Sequence, residues 1–89
     1  MDVIWSTTAK ENIGAIKNEV LRQFGERVTI EFLTKLLSAV DVISLYPEIG
    51  KRFRENMRVF VVVKHISIYY RISDQIEIVM LRDNRRMLI

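Results

Sequence analysis

Eighty-nine residues suffice for one domain with one core and are too few for two. With no cysteine and a single histidine, disulfides, thiolate–metal sites and His-rich metal sites are excluded, and no metal or cofactor is expected. Charge is divided unevenly: residues 1–50 carry five basic and seven acidic side chains, residues 51–89 nine basic and four acidic, for a net +3, so the second half must present a positive surface.

Val3-Ile4-Trp5 reads as a short strand stopping at Ser6-Thr7-Thr8, hydroxyl residues whose oxygens accept the orphan N–H groups of a helix start. Thr8 with Glu11 has the capping-box spacing. A first helix follows, its apolar residues Ala9, Ile13, Ile16, Val20 and Phe24 recurring at steps of three and four on one stripe. Gly25 ends it, because glycine adopts the left-handed exit conformation without a Cβ clash. The second helix spans about Arg27 to Leu45, with Val28, Phe32, Leu36, Val40 and Ile43 on one face and Leu33 and Leu37 widening it. Pro47 terminates it by lacking a donor and biasing Tyr46 away from helical geometry. So short a link between the helices predicts an antiparallel hairpin.

Pro47-Glu48-Ile49-Gly50 then turns the chain into the basic half. From Met57 the period becomes two, and three strands emerge: 57–64, 66–72 and 76–81. Their links, Lys64-His65 and Ser73-Asp74-Gln75, are too short for anything but antiparallel neighbours. With Val59 and Ile68 turned toward the helices, Arg58, Phe60, Tyr69, Arg71, Val79 and Leu81 would share an open face, basic and apolar by turns. The expected fold is α+β in the order β-α-α-β-β-β, a single domain over residues 1–89 whose antiparallel sheet is packed on one face by an α-helical hairpin.

Such a face is suited to an anion, nucleic acid or an acidic protein segment, although the same charges serve solvation. Arginine grips phosphate best because its planar fork meets two oxygens at once; the candidates are Arg58, Arg71 and the run Arg82, Arg85, Arg86. Tyr69 could stack on a base, or be an ordinary cross-strand packing residue. His65 falls at a hairpin turn with no readable orienting neighbour for general-base work. The glycines are isolated and the serines lack a nucleophile-elbow context. The longest apolar run, Val59 to Val63, is far below the ~18 residues of a spanning helix, and the N-terminal Met1-Asp2-Val3 lacks the basic n-region of a secretory leader. A cytoplasmic protein with no membrane role is expected. Hydrophobic residues make up 49% of the chain, more than one small core readily hides, which predicts an exposed patch and a protein partner.

Four segments in order, Val3-Ile4-Trp5-Ser6 with Ala9, Leu45-Tyr46-Pro47-Glu48-Ile49-Gly50-Lys51, Ile68-Tyr69-Tyr70-Arg71-Ile72, and Ile76 through Arg86, together resemble the RelE/ParE superfamily of bacterial type II toxin–antitoxin toxins. The resemblance covers essentially the whole chain. It implies a growth-inhibiting toxin, of the kind that serves plasmid stabilisation, held inactive by a cognate antitoxin whose C-terminal segment wraps its surface, with Phe60, Val62, Tyr69, Val79 and Leu81 as the antitoxin-binding set. It also implies a homodimer or a toxin–antitoxin hetero-oligomer.

Two mechanisms divide that superfamily. RelE-like members are ribosome-dependent mRNA endoribonucleases; for that activity Arg58, Tyr69 and Arg86 would be the catalytic set, and the ribosome and mRNA the partners. ParE-like members poison DNA gyrase by binding; the expected clustering of Arg58, Arg71, Arg82, Arg85 and Arg86 on or beside the open face makes them the target-binding set. Ser67 stands where the nucleases usually carry arginine, and their late tyrosine has no counterpart after Arg86. The Pro-Glu-Ile-Gly turn is closer to the ParE branch. A gyrase inhibitor is therefore the expectation, an endoribonuclease the alternative, and a decayed toxin that only binds antitoxin the third reading.

Overall fold

The computed structural model describes residues 1–85. Its elements run β1 (Val3–Trp5), α1 (Thr7–Leu45), a 3-10 turn (Pro47–Ile49), β2 (Lys51–Arg54), β3 (Met57–Val63), β4 (Ile66–Ile72) and β5 (Ile76–Asp83). The strands form one sheet in the order β1-β5-β4-β3-β2.

Within α1, Gly25 has φ 85° and ψ −177°, a region open essentially to glycine alone. An unbroken helix of 39 residues would be about 58 Å long, whereas the longest dimension of the molecule is 37 Å. The chain therefore doubles back at Gly25 into two arms, and the helical hairpin expected from the sequence is present. Thr29 Oγ1 donates to the Gly25 carbonyl at 2.8 Å, restarting the second arm. Nothing lies within 4 Å of a Cβ at Gly25, so Gly25→Ala should act through backbone strain alone. We expect a loss of about 1–3 kcal/mol, read from the urea midpoint; an unshifted midpoint would show that the reversal does not depend on that conformation.

The sheet differs from expectation in two linked ways. It has a fifth strand, β2, and it is mixed, because β1 runs parallel to β5 with Val3 opposite Ile76 and Trp5 opposite Ile78. All four β2 residues are exposed, so this strand carries no inward–outward pattern for a sequence reading to detect. Parity explains the rest. A helical hairpin returns the chain to the side it left, so β2 opposes β1; three further reversals make β5 parallel to β1. Omitting one strand inverts that result.

The core lies between the hairpin and one sheet face, where Ala9, Phe32, Leu36 and Ile43 of α1 meet Ile68, Tyr70, Ile76, Ile78 and Leu81, all buried. At the helix start the cap is Ser6 rather than Thr8: Ser6 Oγ accepts from the Ala9 N–H at 2.9 Å and donates to the Val79 carbonyl at 2.6 Å. Asn12 Oδ1 accepts from the Leu81 N–H at 3.1 Å. The first turn of α1 thereby satisfies backbone groups of β5 beside an irregularity in its pairing. Ser6→Ala removes both roles and should cost about 1–2 kcal/mol, measured as a lower thermal midpoint; equal midpoints would refute the dual role.

Candidate partner-binding face

Three β-bulges decide which side chains reach the open face, one of them between Arg52 and Arg54 of β2. A regular two-residue hairpin at Lys64-His65 would pair Phe60 with Tyr69 and Arg58 with Arg71. The pairing instead slips between Val61 and Val63, so Phe60 lies opposite Ile68, Arg58 opposite Tyr70, and Val59 opposite Tyr69. A second slip, at Tyr69/Tyr70 against β5, places Met80 opposite Tyr69 and Leu81 opposite Ile68. A one-residue slip exchanges the faces of a strand. Phe60 and Leu81 therefore pack on the helix side, Leu81 fully buried, and Val62 packs against the same core. Val79 sits at the bulge, half-buried. Of the expected antitoxin-binding set only Tyr69 is on the open side.

There, Tyr69 is the centre of an aromatic–cation row. It is buried although it faces away from the helices, because Phe53 of β2 meets it edge-on at 5.0 Å and 74° and the Arg82 guanidinium lies 5.5 Å above its ring. Arg54 in turn lies 5.0 Å over Phe53. Cation–π contacts of this kind hold a guanidinium in place without neutralising it. Register adds Lys51 and Val59 to this side, and Arg71 opposite Met57. Arg71 has Glu77 at 4.0 Å, a loose and exposed pair of little energetic weight. Val61 remains 59% exposed. The face thus offers Lys51, Arg54, Arg71 and Arg82 around a small apolar centre. Lys51, Phe53 and Arg54 of this surface were missed with the strand that carries them.

Arg58 is used differently. Its Nη1 donates to the carbonyls of Glu48 (3.1 Å) and Gly50 (2.8 Å), and Nη2 lies 3.8 Å from the Glu48 carboxylate. Beside it the fully buried Tyr70 hydroxyl donates to the Pro47 carbonyl at 2.6 Å and accepts from the Gly50 N–H at 2.9 Å. Burial pushes the Tyr70 phenol above its ordinary pKa, against the opposing pull of the Gly50 hydrogen bond and the Arg58 charge. Together the two side chains clasp the Pro-Glu-Ile-Gly turn. Arg58 and Tyr69 point to opposite faces of the sheet, so the expected nuclease set does not converge.

The late arginines also part company. Arg85 grips Asp83 with two bonds of 3.0 and 2.7 Å and lines a groove with Phe24, Val28 and Phe32 of the hairpin, whereas Arg82 lies over Tyr69 and lines a second groove with Asn12 and Glu19 of α1. Arg86 lies outside the described residues. The five expected target-binding arginines are consequently not one cluster. Ser67 is buried and accepts from Asn84 Nδ2 at 3.1 Å, a structural role. Among the described residues no group of three His, Asp or Glu side chains could hold a metal ion, and no helix is long and apolar enough to cross a membrane.

A family model for the ParE toxin of the type II toxin–antitoxin system parDE matches residues 3–88. The chain belongs to the ParE toxin family. A comparison with curated proteins finds no match. Among solved structures, a chain of the chromosomal ParDE toxin–antitoxin system from P. aeruginosa superimposes with a TM-score of 0.80 at 15% identity, over 93% of this chain and 95% of that one. At that identity the likeness speaks for the fold, which in this ParE toxin is a helical hairpin on a mixed sheet.

Proposed function

We propose that this ParE toxin arrests growth in the cytoplasm by binding DNA gyrase, that its basic open face supplies the contact, and that a cognate antitoxin neutralises it. The observation that carries this reading is the family match over residues 3–88. Two features support a binding mechanism over strand cleavage. The open face holds fixed cations on an aromatic platform, suited to complementary charge. The groups that would have to act together on a ribose hydroxyl and its phosphate, Arg58 and Tyr69, stand on opposite sides of β3 and β4, and a general acid or base must reach the reacting atoms.

Expression of the chain without antitoxin tests the reading. Double-strand DNA breaks with induction of the SOS response are expected. Cuts in mRNA at defined codon positions would overturn it in favour of the RelE-like endoribonuclease, and undiminished growth at verified expression would mark a decayed toxin.

A further inference from the structure

The open face is cationic at its centre as well as at its margins. Arg54, Phe53, Tyr69 and Arg82 form a continuous row, each against the next at 5.0, 5.0 and 5.5 Å. From β2 to β5 this row crosses three strand spacings, about 14 Å. Lys51, opposite Val59, and Arg71, opposite Met57, stand on the same side of the sheet. Lys51, Arg54 and Arg82 form no ion pair among the described residues, and Arg71 has the loose contact with Glu77. The exposed large apolar side chains on this side, Phe53, Val61 and Ile4, belong to three different strands and form no common centre, while Tyr69 lies beneath Arg82.

A surface made for a protein has the reverse pattern, an apolar centre with charge confined to the rim. Surfaces made for DNA are more polar and far more positive. A guanidinium presents parallel donors to two phosphate oxygens, and one resting on an aromatic ring is held in place with its charge intact. We infer that the ligand of this face is the phosphate backbone of duplex DNA, gripped by Lys51, Arg54, Arg71 and Arg82. Such contacts fix position and carry no base sequence. The inference deepens the gyrase reading, on which it rests for where the DNA is met: the toxin sets its cations on the duplex that the enzyme holds, not on an acidic surface of the enzyme.

The test titrates the full chain, without gyrase, into a short fluorescein-labelled DNA duplex and follows anisotropy between about 50 and 200 mM salt. Saturable binding is expected, with a log–log salt slope of about −3 to −4 for three to four phosphate contacts. Arg71→Glu with Arg82→Glu, in a chain whose circular dichroism shows it folded, should weaken binding at least tenfold and flatten the slope by about 2. Lys17→Glu with Arg27→Glu makes the same charge change at exposed positions of the hairpin and should weaken it threefold at most; this pair corrects for the attraction that a net charge of +3 exerts on any polyanion. No saturation at the lowest salt, or equal losses in the two double variants, would overturn the inference. So would DNA-free gyrase that captures the parent chain but not the Arg71/Arg82 variant, which would give the face to an acidic surface of the enzyme. A supercoiling assay on the same preparation separates the claims: supercoiling lost without DNA binding sinks this inference alone, and DNA binding with supercoiling untouched sinks the gyrase reading alone.

Discussion

Gly50→Ala is expected to lower the thermal midpoint of this toxin by roughly 10–20 °C, the equivalent of about 2–3 kcal/mol in a domain of this size. Gly50 has ordinary backbone angles, φ −70° and ψ 150°, so conformational freedom is not its purpose; space is. A Cβ there would lie 2.7 Å from the Tyr70 hydroxyl, 2.8 Å from Tyr70 Cε1 and 2.9 Å from the Val59 carbonyl oxygen. Tyr70 is fully buried under the helices and cannot swing aside, and the Val59 carbonyl belongs to the sheet. Relief must therefore come from moving the turn, which breaks the Tyr70–Pro47, Tyr70–Gly50 and Arg58–Gly50 bonds together. Tyr70→Phe alone should cost about 1–3 kcal/mol by orphaning the Pro47 carbonyl and the Gly50 N–H. In the double variant the shared bonds are lost only once, so the combined effect should fall short of the sum. Strict additivity in a thermal-melt cycle, or a Gly50→Ala midpoint within a degree or two of the parent, would contradict the clasp.

The largest functional effect is expected from the open face. Arg71→Glu with Arg82→Glu reverses two of the four cations that register places there, and should convert growth arrest on induction into growth near that of an empty-vector control. The fold should survive. Arg71 is half exposed in its loose pair with Glu77, and losing the Arg82–Tyr69 contact costs only about 0.5–1 kcal/mol. Arg85→Glu is the comparison away from the Tyr69 row, a charge reversal equal to either of those two taken singly, on a guanidinium bonded to Asp83 beside the hairpin. It should leave arrest largely intact. Arrest that persists in the Arg71/Arg82 variant but vanishes with Arg85→Glu would move the contact surface to the hairpin side.

Much of this architecture was legible in the sequence because burial leaves a period. The two helical stripes and the alternation from Met57 onward follow from side chains that must be hidden, the break at Gly25 and the stop at Pro47 from backbone chemistry, and all are present, except that Phe24, Val28 and Leu37 of the expected stripes are 53%, 38% and 64% exposed. What escaped notice left no such trace. β2 has no buried residue, so nothing distinguished Lys51-Arg52-Phe53-Arg54 from a charged loop, and with it went the parity that makes β1 parallel to β5. The faces of β3 failed for a related reason. Val59 and Val61 are as apolar as Phe60 and Val62, so either set could face the helices, and the choice fell to a bulge at the hairpin. In β5 the side chain of Leu81 reaches the core through a bulge whose freed backbone groups bond Ser6 and Asn12, contacts spanning some seventy residues of sequence. Arg58 shows the same limit at the site: its charge was visible, but not that two backbone carbonyls of a turn would claim it.

The most direct measurement is DNA supercoiling by purified gyrase with increasing toxin. Our account predicts loss of supercoiling, with cleaved DNA accumulating at near-stoichiometric wild-type chain and no effect from the folded Arg71/Arg82 variant. Unimpaired supercoiling in excess toxin, alongside mRNA cut in a translating extract by the same preparation, would contradict it.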